Sequence, residues 1–419
     1  MVVMMLRKLL SNRKIFYSVI VVLTLLFGVF SFLTIKSYSN KEEPKSKEKV
    51  LERETFTTYI SDGNGHYKKY TSADGSLYPS GYVYNQGISY CEDLDGNRLD
   101  IVPTYSNNKF TLESDKTVFC YLYFDIELTS AEELIASGEL WQSGLEGDGY
   151  RYTGSGNYDS ATTSSNFICF GTSDKTECKN NEAKYMYRII GVFEGSDGEQ
   201  HLKLIKFKQL EKYLWNADWQ TDVAWENSDM YAGLNGSYFL SNSTYDYLQN
   251  STWLNKIEDW TWSAVNTKTW SDSGPNYYNS LTPSQIYLHE MNRSSKTSTI
   301  GEWSTPVAKI GLMYASDYAL SLGDTALAMT TGTYTNSSTL KTGWIHPSNN
   351  DTSKGTWEWT LSRFGAYGNG FFAWYVGSDG YVYNDTVGNV SGVRPVFHLT
   401  SDARINGGNG EYSNPYVLE

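Results

Sequence analysis

The chain has 419 residues, with 34 Lys or Arg against 47 Asp or Glu and a formal net charge of −13. Aromatic residues make up 15% and charged residues only 19%, which excludes a wholly disordered chain, because disorder goes with few aromatics and high charge. The acidic balance excludes a nucleic-acid partner, whose phosphates call for basic patches.

Residues 15–35 form an uncharged apolar run that follows Arg7, Lys8, Arg13 and Lys14. About 20 apolar residues suffice to cross the hydrocarbon core as a helix, and basic residues before the run favour an outward-facing C-terminal part. The expectation is a cytoplasmic basic segment over 1–14, a transmembrane helix over 15–36 and a charged linker over 37–54. A cleaved secretory signal is the alternative, although the run exceeds the usual apolar length of about 7–15 residues. Either reading exports the strongly acidic remainder.

Residues 55–128 read as a β-sandwich domain. Residues 56–60, 81–84, 98–102, 110–112 and 118–126 are rich in β-branched and aromatic side chains, and Asp62-Gly63, Asp74-Gly75 and Asp95-Gly96 punctuate them as turns. Residues 129–165 hold a short helix, 131–136, capped by Ser130, followed by a Gly/Ser/Thr-rich link. Residues 166–419 read as a larger α+β domain. Residues 187–193 and 201–207 form a hairpin, 245–256 a helix capped by Thr244, and 307–314, 371–377, 380–383 and 392–399 strands. The long segments 216–243, 260–303 and 330–356 lack periodicity, and loops of that length are usually functional.

The four cysteines are Cys91, Cys120, Cys169 and Cys178. Outside the cell an even number favours disulfides. Local pairing gives one bridge per domain, Cys91 with Cys120 and Cys169 with Cys178. Neither gap suits the close C-x₂₋₄-C spacing of zinc ligands, so no metal and no cofactor is expected.

Other constellations are weak. His289-Glu290 opens like a zinc-protease helix, but Arg293 stands where the second histidine belongs, and a surface turn is expected. Asp93, Asp95 and Asp100 faintly suggest a calcium loop, yet the twelve-residue pattern ending in Glu is missing; a hairpin turn explains Asp95-Gly96 equally well. No catalytic residues emerge. The densest aromatic run lies at 357–383. Strand alternation places Phe372, Trp374 and Val376 on one face and Phe371, Tyr375 and Gly377 on the other. One face is core, and the other can present rings to a ligand. The candidate ligand-binding residues are Trp357, Arg363, Tyr367, Trp374 and Arg394. Arg394 also reads as a semi-buried structural arginine.

Several blocks occur together: Cys120-Tyr-Leu-Tyr-Phe-Asp125, Phe167-Ile-Cys-Phe-Gly171, Tyr187-Arg-Ile-Ile-Gly-Val-Phe193, Leu202-Lys-Leu-Ile205, Gly311-Leu-Met-Tyr-Ala-Ser-Asp-Tyr318, Ser378-Asp-Gly-Tyr-Val382, Gly392-Val-Arg-Pro-Val-Phe397 and Asn414-Pro-Tyr-Val417. As a set they resemble an uncharacterised family of bacterial surface proteins of the Gram-positive type. The ending, an aromatic strand followed by an Asp-Gly turn and Gly-Val-Arg-Pro-Val, is similar to that of the formylglycine-generating-enzyme-like fold, which is related to C-type lectins. That resemblance implies a lectin-like C-terminal domain with long loops on a small sheet. The enzyme's catalytic cysteine pair has no counterpart after residue 178.

The expectation is therefore a single-pass membrane protein with an extracellular C-terminal part that binds a glycan or an envelope or host-surface component. The alternatives are a glycan or peptide hydrolase using a carboxylate pair, and a purely structural envelope protein.

Overall fold

The computed structural model describes residues 56–419 apart from 63–65, 73–74, 107–108, 115–116, 159–164, 221–222, 267–280, 292–301, 331, 333–335, 351–356 and 368–369. The expected basic segment 1–14, transmembrane helix 15–36 and charged linker 37–54 lie outside the described residues. Among the described residues no helix is long and apolar enough to cross a membrane. Contacts divide the chain into two compact units, the second beginning at Glu127.

The spine of the first unit is the strand Phe119–Ile126, whose side chains alternate between buried and half-exposed. Cys120, Leu122 and Phe124 point inward and are buried, as a period of two requires. The strand runs parallel to Phe56–Ser61 and antiparallel to Tyr82–Tyr84 and Tyr90–Glu92. With the edge strands Tyr67–Tyr70 and Arg98–Leu99 this makes a six-stranded sheet. Ile60, Leu122 and Phe124 form the small core under it, joined by the rings of Tyr78, Tyr84 and Phe110. The unit is thus one sheet whose inner face meets aromatic rings, with a separate two-stranded ladder, Thr104–Ser106 with Lys109–Thr111, rather than the expected sandwich. The calcium-like segment is a turn. Asp93 Oδ1 accepts from the backbone N–H groups of Asp95 and Asn97 at 2.9 and 2.8 Å, and no cluster of metal-ligating side chains occurs among the described residues.

The second unit is built on a seven-stranded sheet. Met186–Glu194 and Gln200–Lys206 form its central hairpin, flanked by Val396–His398 on one side and Tyr150–Arg151 with Trp141–Gln142 on the other. Both central strands are buried along almost their whole length, and they bury Arg188, His201, Lys203 and Lys206 together with their apolar residues. Gly191 is required there, because a Cβ at that position would stand 2.1 Å from the carbonyl oxygen of Tyr150. A five-stranded sheet follows, ordered Glu302–Ser304, Ala264–Asn266, Glu358–Tyr367, Gly370–Val376 and Val382–Thr386. Tryptophans fill the core of this unit: Trp215, Trp225, Trp262, Trp344, Trp359 and Trp374 are all fully buried.

The α+β expectation is overturned. The described structure is mostly strand, and its longest helix, Pro283–Glu290, has 8 residues. The helix expected over 245–256 breaks at Asn250 into a 3-10 stretch, Ser243–Gln249, and one α-turn, Ser251–Leu254. Asn250 bonds the backbone N–H of Thr252 through its own side chain, and Asn thereby competes with continued helix. The short helix Ser130–Ala136 forms, but its cap is Thr129, which makes a capping box with Glu132. The expected strand 392–399 keeps only Val396–His398 in the sheet. The segments 260–303 and 330–356 are not pure loop, since they contain strands and short helices that carry no period of their own.

The four cysteines form two bridges, Cys91–Cys120 and Cys169–Cys178. Disulfides of this kind are consistent with an extracellular protein.

Candidate functional site

The aromatic run at 357–383 folds into three antiparallel strands, and their register sorts its rings. Trp359 pairs with Tyr375, and Tyr375 with Tyr383. Trp374, Val376 and Val382 are buried. Tyr375 and Tyr383 point the other way and are half-buried. Trp357, just ahead of the first strand, is 50% exposed.

These outward rings form a continuous ribbon across the sheet. The centroid of Trp357 lies 5.6 Å from that of Tyr375, and Tyr375 lies 5.6 Å from Tyr383. Tyr381 meets Tyr383 edge-on at 5.2 Å. Buried Trp359, the cross-strand partner of Tyr375, meets its ring edge-on at 5.9 Å. Polar groups fix the ends. Trp357 Nε1 donates to Ser378 Oγ at 3.3 Å, and the Tyr383 hydroxyl donates to Asp379 Oδ2 at 2.7 Å. The turn carrying Ser378 and Asp379 is tight, because Gly380 has a φ of +92° and a Cβ there would press on the Ser337 carbonyl. Burial, with the Asp385 and Asp379 carboxylates, pushes the Tyr375 phenol up to about 12. Burial and the Asp379 bond raise Tyr383 in the same direction. Both phenols are therefore neutral donors at ordinary pH.

The other candidate residues sit elsewhere. Trp374 is 1% exposed and belongs to the core. Arg394 is equally buried: its Nε donates to Glu358 Oε2 at 2.7 Å and its Nη2 to the Ile345 carbonyl. Arg363 is buried too and donates to the Val223 carbonyl at 2.8 Å. None of these three faces the ribbon's open side. Tyr367 pairs with Gly370 at the end of its strand, and its side chain lies outside the described part. The ribbon thus combines Trp357 with Tyr375, Tyr381 and Tyr383, which the aromatic density reveals only once the strand register is known.

A second concave feature was not visible in the sequence. A cleft of about 620 Å³ opens beside Asp148, Glu194, Asp197, His201, Glu258 and Trp260. His201 faces Leu399 O at 2.8 Å and Asp197 at 3.1 Å. The backbone N–H of Glu199, followed by His201, holds the Asp197 carboxyl below the usual range. Trp260 stacks on His398 with centroids 3.5 Å apart. Glu194, Asp197 and His201 share one hairpin, but Asp148 and the Glu258–Trp260 segment come from distant parts of the chain, so no single spacing signals the cleft.

His289 and Glu290, expected in a surface turn, are buried at the end of a helix. Burial raises Glu290 to about 7. Its carboxyl takes the backbone N–H groups of Ala315 and Ser316 and the Ser362 hydroxyl, at 2.8 to 3.0 Å. It is a fully enclosed structural acid, remote from any open surface.

No family model, no curated protein and no solved structure matches this chain. The functional reading therefore rests on geometry.

Proposed function

We propose that the chain is an exported, membrane-retained binding protein whose larger unit recognises a glycan of an envelope or host surface through the Trp357–Tyr375–Tyr383–Tyr381 ribbon. The observation that carries this is the half-exposed ring of Trp357, continued by three outward tyrosines with Ser378, Asp379 and Asp385 alongside. Rigid rings offer contact area at low entropic cost, and neighbouring polar groups supply direction. Retention at the membrane is supported by the uncharged run 15–35 and the basic residues before it.

No observation favours the hydrolase alternative. A glycosidase needs a general acid with a raised pKa next to its substrate. Among the described carboxyls the raised one is Glu290, which is sealed in the core.

The test is a glycan array probed with the detergent-solubilised full chain. Binding to defined saccharides, abolished by Trp357→Ala and by Tyr383→Ala in folded protein, is the expected result. Binding that survives both substitutions overturns the ribbon as the site.

A further inference from the structure

Lys203 lies in the central strand Gln200–Lys206 and is 2% exposed. Its Nζ stands 2.6 Å from Oδ2 of Asp317, itself buried, in the helix Ala315–Ala319 and 114 residues further along the chain. Asp317 is already well served. Arg151 Nη1 donates to its Oδ1 at 2.8 Å, and the backbone N–H of Tyr314 donates to its Oδ2 at 2.9 Å. Arg151 in turn is held along its other edge by Asp148, at 2.7 Å from Nη2 and 2.9 Å from Nε.

The lysine is poorly served by comparison. An ammonium carries three protons. Among the described residues Asp317 Oδ2 is the one hydrogen-bond acceptor of this group. Its surroundings include the rings of Tyr314 and Phe193, with centroids 4.6 and 5.2 Å from Nζ. A buried charge with unused donors is costly. A secondary amide needs one acceptor and no counterion. Removing one cation and one anion together also leaves Arg151 matched by Asp148.

We propose that Lys203 Nζ and Asp317 Cγ join in an intramolecular amide bond that ties the central strand to this helix. The ammonium first passes a proton to the carboxylate, giving a neutral amine beside a carboxylic acid. Desolvation lowers the affinity of Lys203 for its proton, while Lys203 and Arg151 hold the Asp317 carboxyl below the usual range, so the neutral pair is a minor form from which the reaction proceeds. The nitrogen lone pair attacks Cγ, a C–N bond forms and one C–O bond breaks. The departing oxygen leaves as water with one hydrogen from the amine and one from the acid, so no oxidant or co-reactant is needed. A nitrogen at hydrogen-bond distance from a carboxyl oxygen is close to the near-attack separation of about 3–3.5 Å from its carbon. Arg151, which favours the carboxylate at rest, stabilises the negative charge that develops on Oδ1 in the tetrahedral intermediate.

The bond is independent of any ligand. The test is mass spectrometry of the purified full chain after denaturation and reduction. Trypsin cuts after Arg188, Lys206, Lys309 and Lys341, so the expected digest contains a branched peptide joining residues 189–206 to 310–341, lighter by one water than its two parts. Lys203→Arg is expected to abolish the branched peptide and restore the full mass. Recovery of an unlinked peptide that begins at Leu204, with Lys203 open to an amine-reactive label once unfolded, overturns the proposal. So does loss of a water without the branched peptide.

Discussion

Arg394 and Glu358 form an ion pair that solvent does not reach, with Nε 2.7 Å from Oε2 and side-chain exposures of 0% and 1%. Gln209 Nε2 donates to the same carboxylate oxygen, Oε2, at 3.0 Å, and the Ile345 carbonyl takes a second guanidinium donor. The pair closes the Gly-Val-Arg-Pro-Val segment onto the strand that starts beside Trp357, because Gly392 bridges to Glu358. Breaking such a pair leaves one charge buried alone, at about 3–5 kcal/mol. Arg394→Met is therefore expected to lower stability by that order in urea titration. The double variant Arg394→Met with Glu358→Leu is expected to lose less than Arg394→Met alone. A double variant as unstable as the sum of its parts defeats this account.

The ribbon makes a stability prediction of its own. Trp374 is part of the core, and replacing it with Ala is expected to cost about 3–5 kcal/mol. Trp357 has half its surface in solvent, so Trp357→Ala is expected to shift the thermal midpoint only slightly. The two residues differ in burial although both are tryptophans of one aromatic run. A comparable loss in both variants means that Trp357 is a packing residue.

The difference between those tryptophans shows what the sequence can and cannot carry. Alternation alone separates Trp374 from Tyr375, and the structure keeps that separation. It does not say which face meets the core, nor that Trp357 aligns with Tyr375 and Tyr383, because that needs the pairing of three strands. Arg394 is a candidate because an arginine on a strand can anchor a ligand, and Arg363 because it lies near the aromatic run. Their partners, Val223 and Glu358, are set by long-range packing. The same holds for Asp317, which meets Arg151 and Lys203 from distant parts of the chain. The excess of helix in the expected fold has a local cause. Residues 245–256 contain good helix formers, but Asn250 caps a new turn instead of continuing the old one. Short strands such as Ala264–Asn266 and Glu302–Ser304 exist through pairing with each other, and a strand of three residues leaves little period to read.

Each disulfide closes a loop of known length. Cys91–Cys120 spans 29 residues and Cys169–Cys178 spans 9. If chain entropy dominates, the longer loop gains more, by about 1 kcal/mol. Replacing Cys91 and Cys120 by Ser is expected to destabilise the first unit by about 3–4 kcal/mol, and the equivalent change at Cys169 and Cys178 to destabilise the second by about 2–3 kcal/mol. Chemical denaturation of each variant, followed by fluorescence, measures both. The reverse order points to strain or packing at Cys169 and Cys178 as the larger influence.

Acid should unfold the second unit through its buried histidines. His346 accepts the backbone N–H of Ser348 at Nδ1, 3.1 Å away, and its Nε2 faces the Gly377 carbonyl at 3.0 Å. The ring is therefore neutral, with its proton on Nε2, and burial pushes its pKa down to about 4. Burial likewise lowers His289 to about 4 and His398 well below the ordinary value. A depressed histidine contributes stability that is present above its unfolded pKa of about 6.5 and is lost as pH falls toward the folded value. Each such group contributes a slope of about 1.4 kcal/mol per pH unit within that window. Glu290 acts in the opposite sense. Its folded pKa is raised to about 7, so its contribution is present below about 4.5, the ordinary carboxyl value, and disappears as pH rises through 7. Three histidines outweigh one carboxyl, and the unfolding free energy is expected to fall between pH 6.5 and 4.5. Substituting His346→Gln, which keeps a side-chain amide to donate to Gly377, is expected to remove one histidine's share of that slope. Urea titrations across the window measure it directly. An unchanged slope in the variant shows that His346 does not control the acid response.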